Sequence, residues 1–131
     1  MFIGNFENDK YNGEGEYRWG TGDKFKGNYK DNNMHGYGVY DYANGNKYQG
    51  DWKDNKMHGQ GVYYYADGDK YEGAFVNDNR EGTGTFFFKN GDKQTGEFKN
   101  DKEIGIHTYT HANGRVRKRR YNADGTNEFF D

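Results

Sequence analysis

Any chemistry this chain performs must come from a short list of side chains. It has four histidines and 21 Asp plus Glu, but no cysteine and no serine. The two commonest nucleophiles of acyl transfer are therefore missing. There is also no thiolate for zinc, no disulfide framework and no redox pair. The histidines fall in two sets. His35 and His58 are one repeat apart, which on paired strands means about 10 Å. His107 and His111 on one strand would be about 13 Å apart. Neither set has the spacing of a zinc site. "DGDKYEG" at residues 67–73 has the acids of a calcium loop without its central Asp-Gly or closing Glu, and reads better as a hairpin turn. The Gly-x-Gly pairs lack the third glycine and following helix of a nucleotide fingerprint. Most acids sit in turns, where solvation accounts for them. The expectation is no catalytic residue, no metal and no cofactor.

One charged feature stands out: Arg115, Arg117, Lys118, Arg119 and Arg120. Residues 115–131 hold five basic and three acidic residues, net +2, against -2 for the whole chain. Such a cluster can hold an anionic lipid surface at about 1 kcal/mol per cation, or an acidic partner. It can equally be a charged terminal strand that deters edge-to-edge pairing. Strand alternation would split it between two faces. The net charge gives no broad pull on nucleic acid, so nucleic acid is not an expected partner.

These side chains must be positioned by something. Low hydropathy and 31% charged residues resemble disorder, but 19% are aromatic, with 13 Tyr, 10 Phe and 2 Trp, which disorder does not supply. Leucine is absent, so a conventional helical core is hard to build. The N-terminal "MFIGNFENDK" has no apolar run and no segment nears the ~20 apolar residues of a membrane span; no N-x-[ST] occurs. The expected location is the cytoplasm.

The chain repeats itself, and that sets the architecture. Five gapless copies of 23 residues run 2–24, 25–47, 48–70, 71–93 and 94–116. Place 3 is Gly4, Gly27, Gly50, Gly73 and Gly96. Place 12 is Gly13, Gly36, Gly59, Gly82 and Gly105. Place 14 is Gly15, Gly38, Gly61 and Gly84, then His107. Rings hold place 1 (Phe2, Phe25, Tyr48, Tyr71, then Gln94), place 5 (Phe6, Tyr29, Trp52, Phe75, Phe98), place 16 (Tyr17, Tyr40, Tyr63, Phe86, Tyr109) and place 18 (Trp19, Tyr42, Tyr65, Phe88, then His111). Places 1, 3 and 5 alternate with polar residues, as do 14, 16 and 18, so each copy predicts two half-buried strands. Asn-Gly or Asp-Gly at places 20 and 21 predicts a hairpin whose two turn residues both take positive φ. The expected fold is an all-β, single-layer antiparallel meander of about ten strands, with one more hairpin after residue 116. In the expected register place 5 faces 14, 3 faces 16 and 1 faces 18, so each strand glycine lies across from a ring that covers it, akin to aromatic rescue. The domain reading is five repeats over 2–116 and a basic strand with a short hairpin cap over 117–131.

The pattern Y-x-G-x-[WFY]-x6-G-x-G every 23 residues resembles the MORN repeat (membrane occupation and recognition nexus), with "MHGYG" at 34–38 and "MHGQG" at 57–61 nearest its typical form. The resemblance implies an elongated, curved, solenoid-like sheet. It implies a non-enzymatic scaffold that binds partner proteins, cytoskeletal or membrane-associated, with lipid contact in some members. Since one layer leaves its aromatic face uncovered, the partner groove is expected at Phe6, Trp19, Tyr29, Tyr42, Trp52, Tyr65, Phe75 and Phe88. The alternative is a peripheral membrane module that binds anionic phospholipid through Arg115, Arg117, Lys118, Arg119 and Arg120. Tyr37, Val39, Val62, Tyr64, Phe87 and Ile106 on the other face offer a surface for self-association.

Overall fold

The computed structural model describes all 131 residues and contains only strands: β1 (Phe2–Glu7), β2 (Lys10–Arg18), β3 (Lys24–Lys30), β4 (Asn33–Asp41), β5 (Lys47–Lys53), β6 (Lys56–Tyr64), β7 (Lys70–Val76), β8 (Asn79–Phe87), β9 (Lys93–Lys99), β10 (Lys102–Thr110), β11 (Val116–Tyr121) and β12 (Asn127–Phe130). Their order in one sheet is their order in the chain, and every pairing is antiparallel. Eleven inter-strand gaps at about 4.8 Å make a ribbon roughly 53 Å across its strands. The basic strand β11 is interior, because β12 pairs along it; the open edges are β1 and β12.

The two hairpin types are the reverse of the sequence expectation. The connection within a copy is the two-residue turn with positive φ at both residues, such as Asp31 (+48°) and Asn32 (+72°). The Asn-Gly connection is longer. Gly45 N–H donates to the Tyr42 carbonyl at 3.0 Å, Tyr42 N–H donates to the Asn46 carbonyl at 2.9 Å, and Gly45 alone has positive φ (+96°). Asn44 does not turn the chain through left-handed backbone. Its Oδ1 accepts the Asn46 N–H at 2.9 Å, the local alternative that Asn offers a backbone.

The register also differs from expectation, by two residues. Glycine faces glycine across the sheet, Gly27 to Gly38 to Gly50 to Gly61, while Phe25 faces Tyr40 and Tyr40 faces Tyr48. An even slip keeps every side chain on its expected face. The two-residue turn sets a larger offset, pairing Tyr29 with Met34, and a bulge then halves it: Gly27 to Tyr29 on β3 spans the same length as Gly38 to Met34 on β4. Gly36, with φ +90°, absorbs the surplus. Place 12 is glycine for its backbone and place 14 is glycine for space.

Glycine is still covered by a ring, but not by the residue opposite. The place 1 ring lies along its own strand across the paired glycines. A Cβ built on Gly61 would fall 2.5 Å from Tyr48 Cζ, and one on Gly84 would fall 2.5 Å from Tyr71 Cζ. The phenol then reaches backbone beyond the glycines: Tyr48 donates to the Asp51 carbonyl at 3.0 Å and Tyr71 to the Ala74 carbonyl at 3.3 Å. Phe25, Tyr48 and Tyr71 are completely buried in a one-layer sheet.

Each of these rings is clasped edge-to-face by the place 5 rings of its own and the next copy. Tyr48 lies 5.1 Å from Trp52 and 5.1 Å from Phe75; Tyr71 lies 5.3 Å from Phe75 and 5.2 Å from Phe98. Such pairs contribute about 0.5–1.5 kcal/mol beyond their buried area, so the core is a line of rings running through the repeats. In the fifth copy Gln94 has no ring to give. His107, from the opposite strand, takes the vacated place over Gly96 and continues the line to Phe98 and Tyr121.

Candidate partner-binding face

Places 16 and 18 build a second, outer line of rings on the same face. It runs Tyr17, Trp19, Tyr40, Tyr42, Tyr63, Tyr65, Phe86, Phe88, Tyr109, with successive centroids 4.6, 5.3, 4.4, 5.9, 4.9, 5.6, 4.9 and 5.6 Å apart. Alternation puts both places on the ring face. The place 18 ring stands at the mouth of the longer turn. All are half-buried, and nothing in the fold covers them.

The turns beneath this line are tied from one copy to the next. The place 22 side chain accepts a backbone N–H one copy on: Ala43 to Asp23 Oδ1 (2.7 Å), Ala66 to Asn46 Oδ1 (2.8 Å) and Ala112 to Asp92 Oδ1 (2.8 Å). Its second atom fixes the place 16 hydroxyl. Tyr40 and Tyr109 donate to Asp23 and Asp92 at 2.8 and 2.6 Å. These bonds hold the Asp92 carboxyl below its usual range, the Tyr109 hydroxyl contributing most. Burial pushes the Tyr40 hydroxyl well above its ordinary value and Tyr109 up to about 12, each helped by its aspartate. Tyr40 and Tyr109 stay neutral, and the hydroxyls of Tyr40, Tyr63 and Tyr109 are anchored at the base.

The structure divides the eight ring residues singled out from sequence. Tyr29, Trp52 and Phe75 are at most 6% exposed and belong to the inner line. They form the floor of the face. Trp19, Tyr42, Tyr65 and Phe88 are in the outer line, and Phe6 stands on the edge strand β1, 61% exposed. Place 16 is the part of the open face that sequence reading left out of the groove. Its rings share the period of place 18, so the same alternation carried the signal.

The basic residues are divided as well. Arg117 and Arg119 point to the ring face, with guanidinium carbons 4.8 and 4.9 Å from the Phe129 ring. Lys118 and Arg120 point to the other face, where they meet Thr108 and Glu128. Arg115 and Arg117 pair with Asp131 at 3.9 and 3.2 Å. No three His, Asp or Glu side chains come together in a way that could hold a metal ion. His35 Nδ1 stands 3.7 Å from Asp54 and His111 Nδ1 3.7 Å from Asp92. On the far face Tyr37 and Ile106 are exposed, while Tyr64 and Phe87 lie under Lys47 and Lys70.

A family model described as MORN repeat matches residues 2–24, 25–47, 48–70 and 71–93. The repeats of that family are interaction modules for proteins or membranes, not enzymes. No curated protein matches the chain closely enough to count as a relative. Among solved structures, the SAS-4 (dCPAP) TCP domain of Drosophila melanogaster, in complex with a proline-rich motif of Ana2 (dSTIL), is similar at 13% identity and a TM-score of 0.34, over 91% of this chain and 84% of that one. A likeness of that degree says nothing about what this chain binds.

Proposed function

The chain belongs to the MORN repeat family, and from that premise we propose that it is a protein-binding scaffold whose contact surface is the outer ring line. One observation carries this reading: nine rings run unbroken from Tyr17 to Tyr109 on a face with no second layer. Contiguous exposed apolar area of this kind marks interaction sites. Tyr and Trp suit interfaces. The partner is a segment of another protein laid across the strands, with apolar side chains seated between successive rings. The contact residues are Trp19, Tyr42, Tyr65 and Phe88, with Phe6 at the edge, over the floor of Tyr29, Trp52 and Phe75. The membrane reading draws less support, because the cations of β11 face two ways.

Photo-crosslinking tests it. A benzophenone side chain at Tyr42 or Tyr65 is expected to capture one discrete polypeptide in cells that express the chain, and the same probe at Tyr64 or Phe87 is not. Equal capture from both faces, or none from the ring face, would sink the reading.

A further inference from the structure

At Phe86 and Phe88 the outer line borders a cavity that the repeats do not predict. It encloses about 180 Å³ and is walled by Phe86, Phe88, Phe98 and Tyr121. It opens where two places change type together. Place 1 becomes Gln94 after Phe25, Tyr48 and Tyr71, and place 10 becomes Arg80 after Met34 and Met57. Two guanidiniums, Arg80 and Arg119, enter it together with one carboxylate, Glu103.

The two arginines are not equivalent. Arg80 is spoken for, 2.8 Å from Asp101 and 3.7 Å from Glu103. Arg119 has no carboxylate partner, although Arg115, Arg117 and Arg120 beside it each have one. It is held by neutral acceptors: Nε and Nη2 donate to Asn127 Oδ1 at 3.0 and 2.8 Å, and Nη1 donates to Gln94 Oε1 at 3.3 Å. That uses three of its five N–H donors. Tyr121 and Phe129 stack on it, 5.1 and 4.9 Å from its carbon. Gln94 is locked in turn by His107 (3.1 Å) and Tyr121 (2.7 Å). A half-buried cation is thus fixed in place, charge unmatched, with two donors left over.

We infer that this cavity takes an acidic side chain of the docked partner. This rests on the ring line being the docking face, which it continues, since Phe86 and Phe88 belong to both. A segment lying on the rings would pass over the cavity at the junction of the fourth and fifth copies. There an Asp or Glu would find the Arg119 donors in an aromatic surround, where a charge-assisted bond is strong. The acid would fix register, because the ring line alone offers the same contact at every copy. A phosphate on a membrane surface is the poorer fit. Lys118 and Arg120 point away, so a flat surface meets Arg119 without its neighbours.

The test is selection of random peptides displayed on phage against the intact chain. Binders are expected to share an acid at a fixed distance from apolar residues. Changing that acid to Gln or Asn should weaken binding roughly 10- to 100-fold, the worth of a hydrogen bond to a charge. Selection on Arg119→Glu should replace the acid with Lys or Arg at the same spacing, with near-ultraviolet circular dichroism checking that the variant keeps its ring packing. Binders without a fixed acid, or with the same acid on Arg119→Glu, overturn the inference and leave the ring line as docking face. No binders at all overturn the docking reading and the inference with it. Arg119-dependent sedimentation with phosphatidylserine vesicles, without acid in the selected peptides, would assign the site to lipid and overturn the inference.

Discussion

At the scale of single residues, the glycines carry the argument. A Cβ at Gly61 would stand 2.5 Å from Tyr48 Cζ, inside a ring that is fully buried and clasped on both sides. That ring cannot yield, so Gly61→Ala is expected to cost about 1–3 kcal/mol by overpacking, read as a lower urea midpoint. Gly20 has nothing within 4 Å, and Gly20→Ala should stay within about 0.5 kcal/mol. Equal effects from the two would show that space around glycine is not what place 14 supplies. A second prediction concerns Tyr71, whose hydroxyl burial pushes from 10.0 up to about 12, with the Arg80 guanidinium pulling the other way. The folded state prefers the neutral phenol. The associated stability is present below the unfolded value near pH 10 and is lost as pH rises toward the folded value. Urea midpoints should fall between about pH 10 and 12, and Tyr71→Phe, which keeps the ring as Phe25 does, should flatten that fall. An unchanged slope in the variant would rule the Tyr71 hydroxyl out as a source of the loss.

At the scale of elements, two short turns and a bulge decide the register. Asn55 has φ +69°, its Oδ1 accepts the Met34 N–H at 2.9 Å, and its Nδ2 donates to Asn33 at 2.8 Å. It therefore both turns one hairpin and ties it to the preceding copy. Asn55→Gly loses the bonds but also sheds the Cβ that left-handed backbone disfavours, whereas Asn55→Ala loses the bonds and keeps that Cβ. The expectation is about 1 kcal/mol for the bonds and a gap of about 1–2 kcal/mol between Ala and Gly, measured by denaturation of both variants. If Ala and Gly cost the same, the turn is not enforcing that backbone. This scale also marks how far the sequence was legible. Repeat length, strand count and the face of every ring follow from spacing alone. Which glycine faces which does not, because Gly36 and Gly38 look alike in sequence while one absorbs a bulge and the other makes room for Phe25. Nor can alternation tell Trp52 from Tyr42. Both lie on the ring face, and only the register puts Trp52 between Phe25 and Tyr48 and leaves Tyr42 open. The cavity was legible only as broken pattern: Arg80 where Met was due, Gln94 where a ring was due.

At the scale of the whole molecule, the chain is a line whose links are rings. Consecutive strands share hydrogen bonds, but the buried side-chain links between copies all pass through place 1 and place 5. Stability should then be close to a sum of copies and their junctions, with the ends opening first. β1 and β12 have one pairing partner each, and Phe6 and Phe129 on them are 61% and 39% exposed. Hydrogen exchange should therefore be slowest in the middle strands and fastest at these two. Tyr48→Ala is the sharper trial, since Tyr48 joins Trp52 to Phe75 across the junction of the third and fourth copies. Removing the ring should cost about 3–5 kcal/mol, as for other buried aromatics, but the loss should not be shared evenly. It leaves the Phe25–Trp52 and Tyr71–Phe75 contacts intact on either side. The expected result is loss of a single cooperative unfolding step: exchange in β1–β4 speeds up while β7–β10, anchored by Tyr71, Phe98 and His107, keeps most of its protection. If all strands lose protection equally, the copies are coupled by more than neighbouring rings. The ribbon would then be one cooperative body, and a partner seated at one end could be sensed at the other.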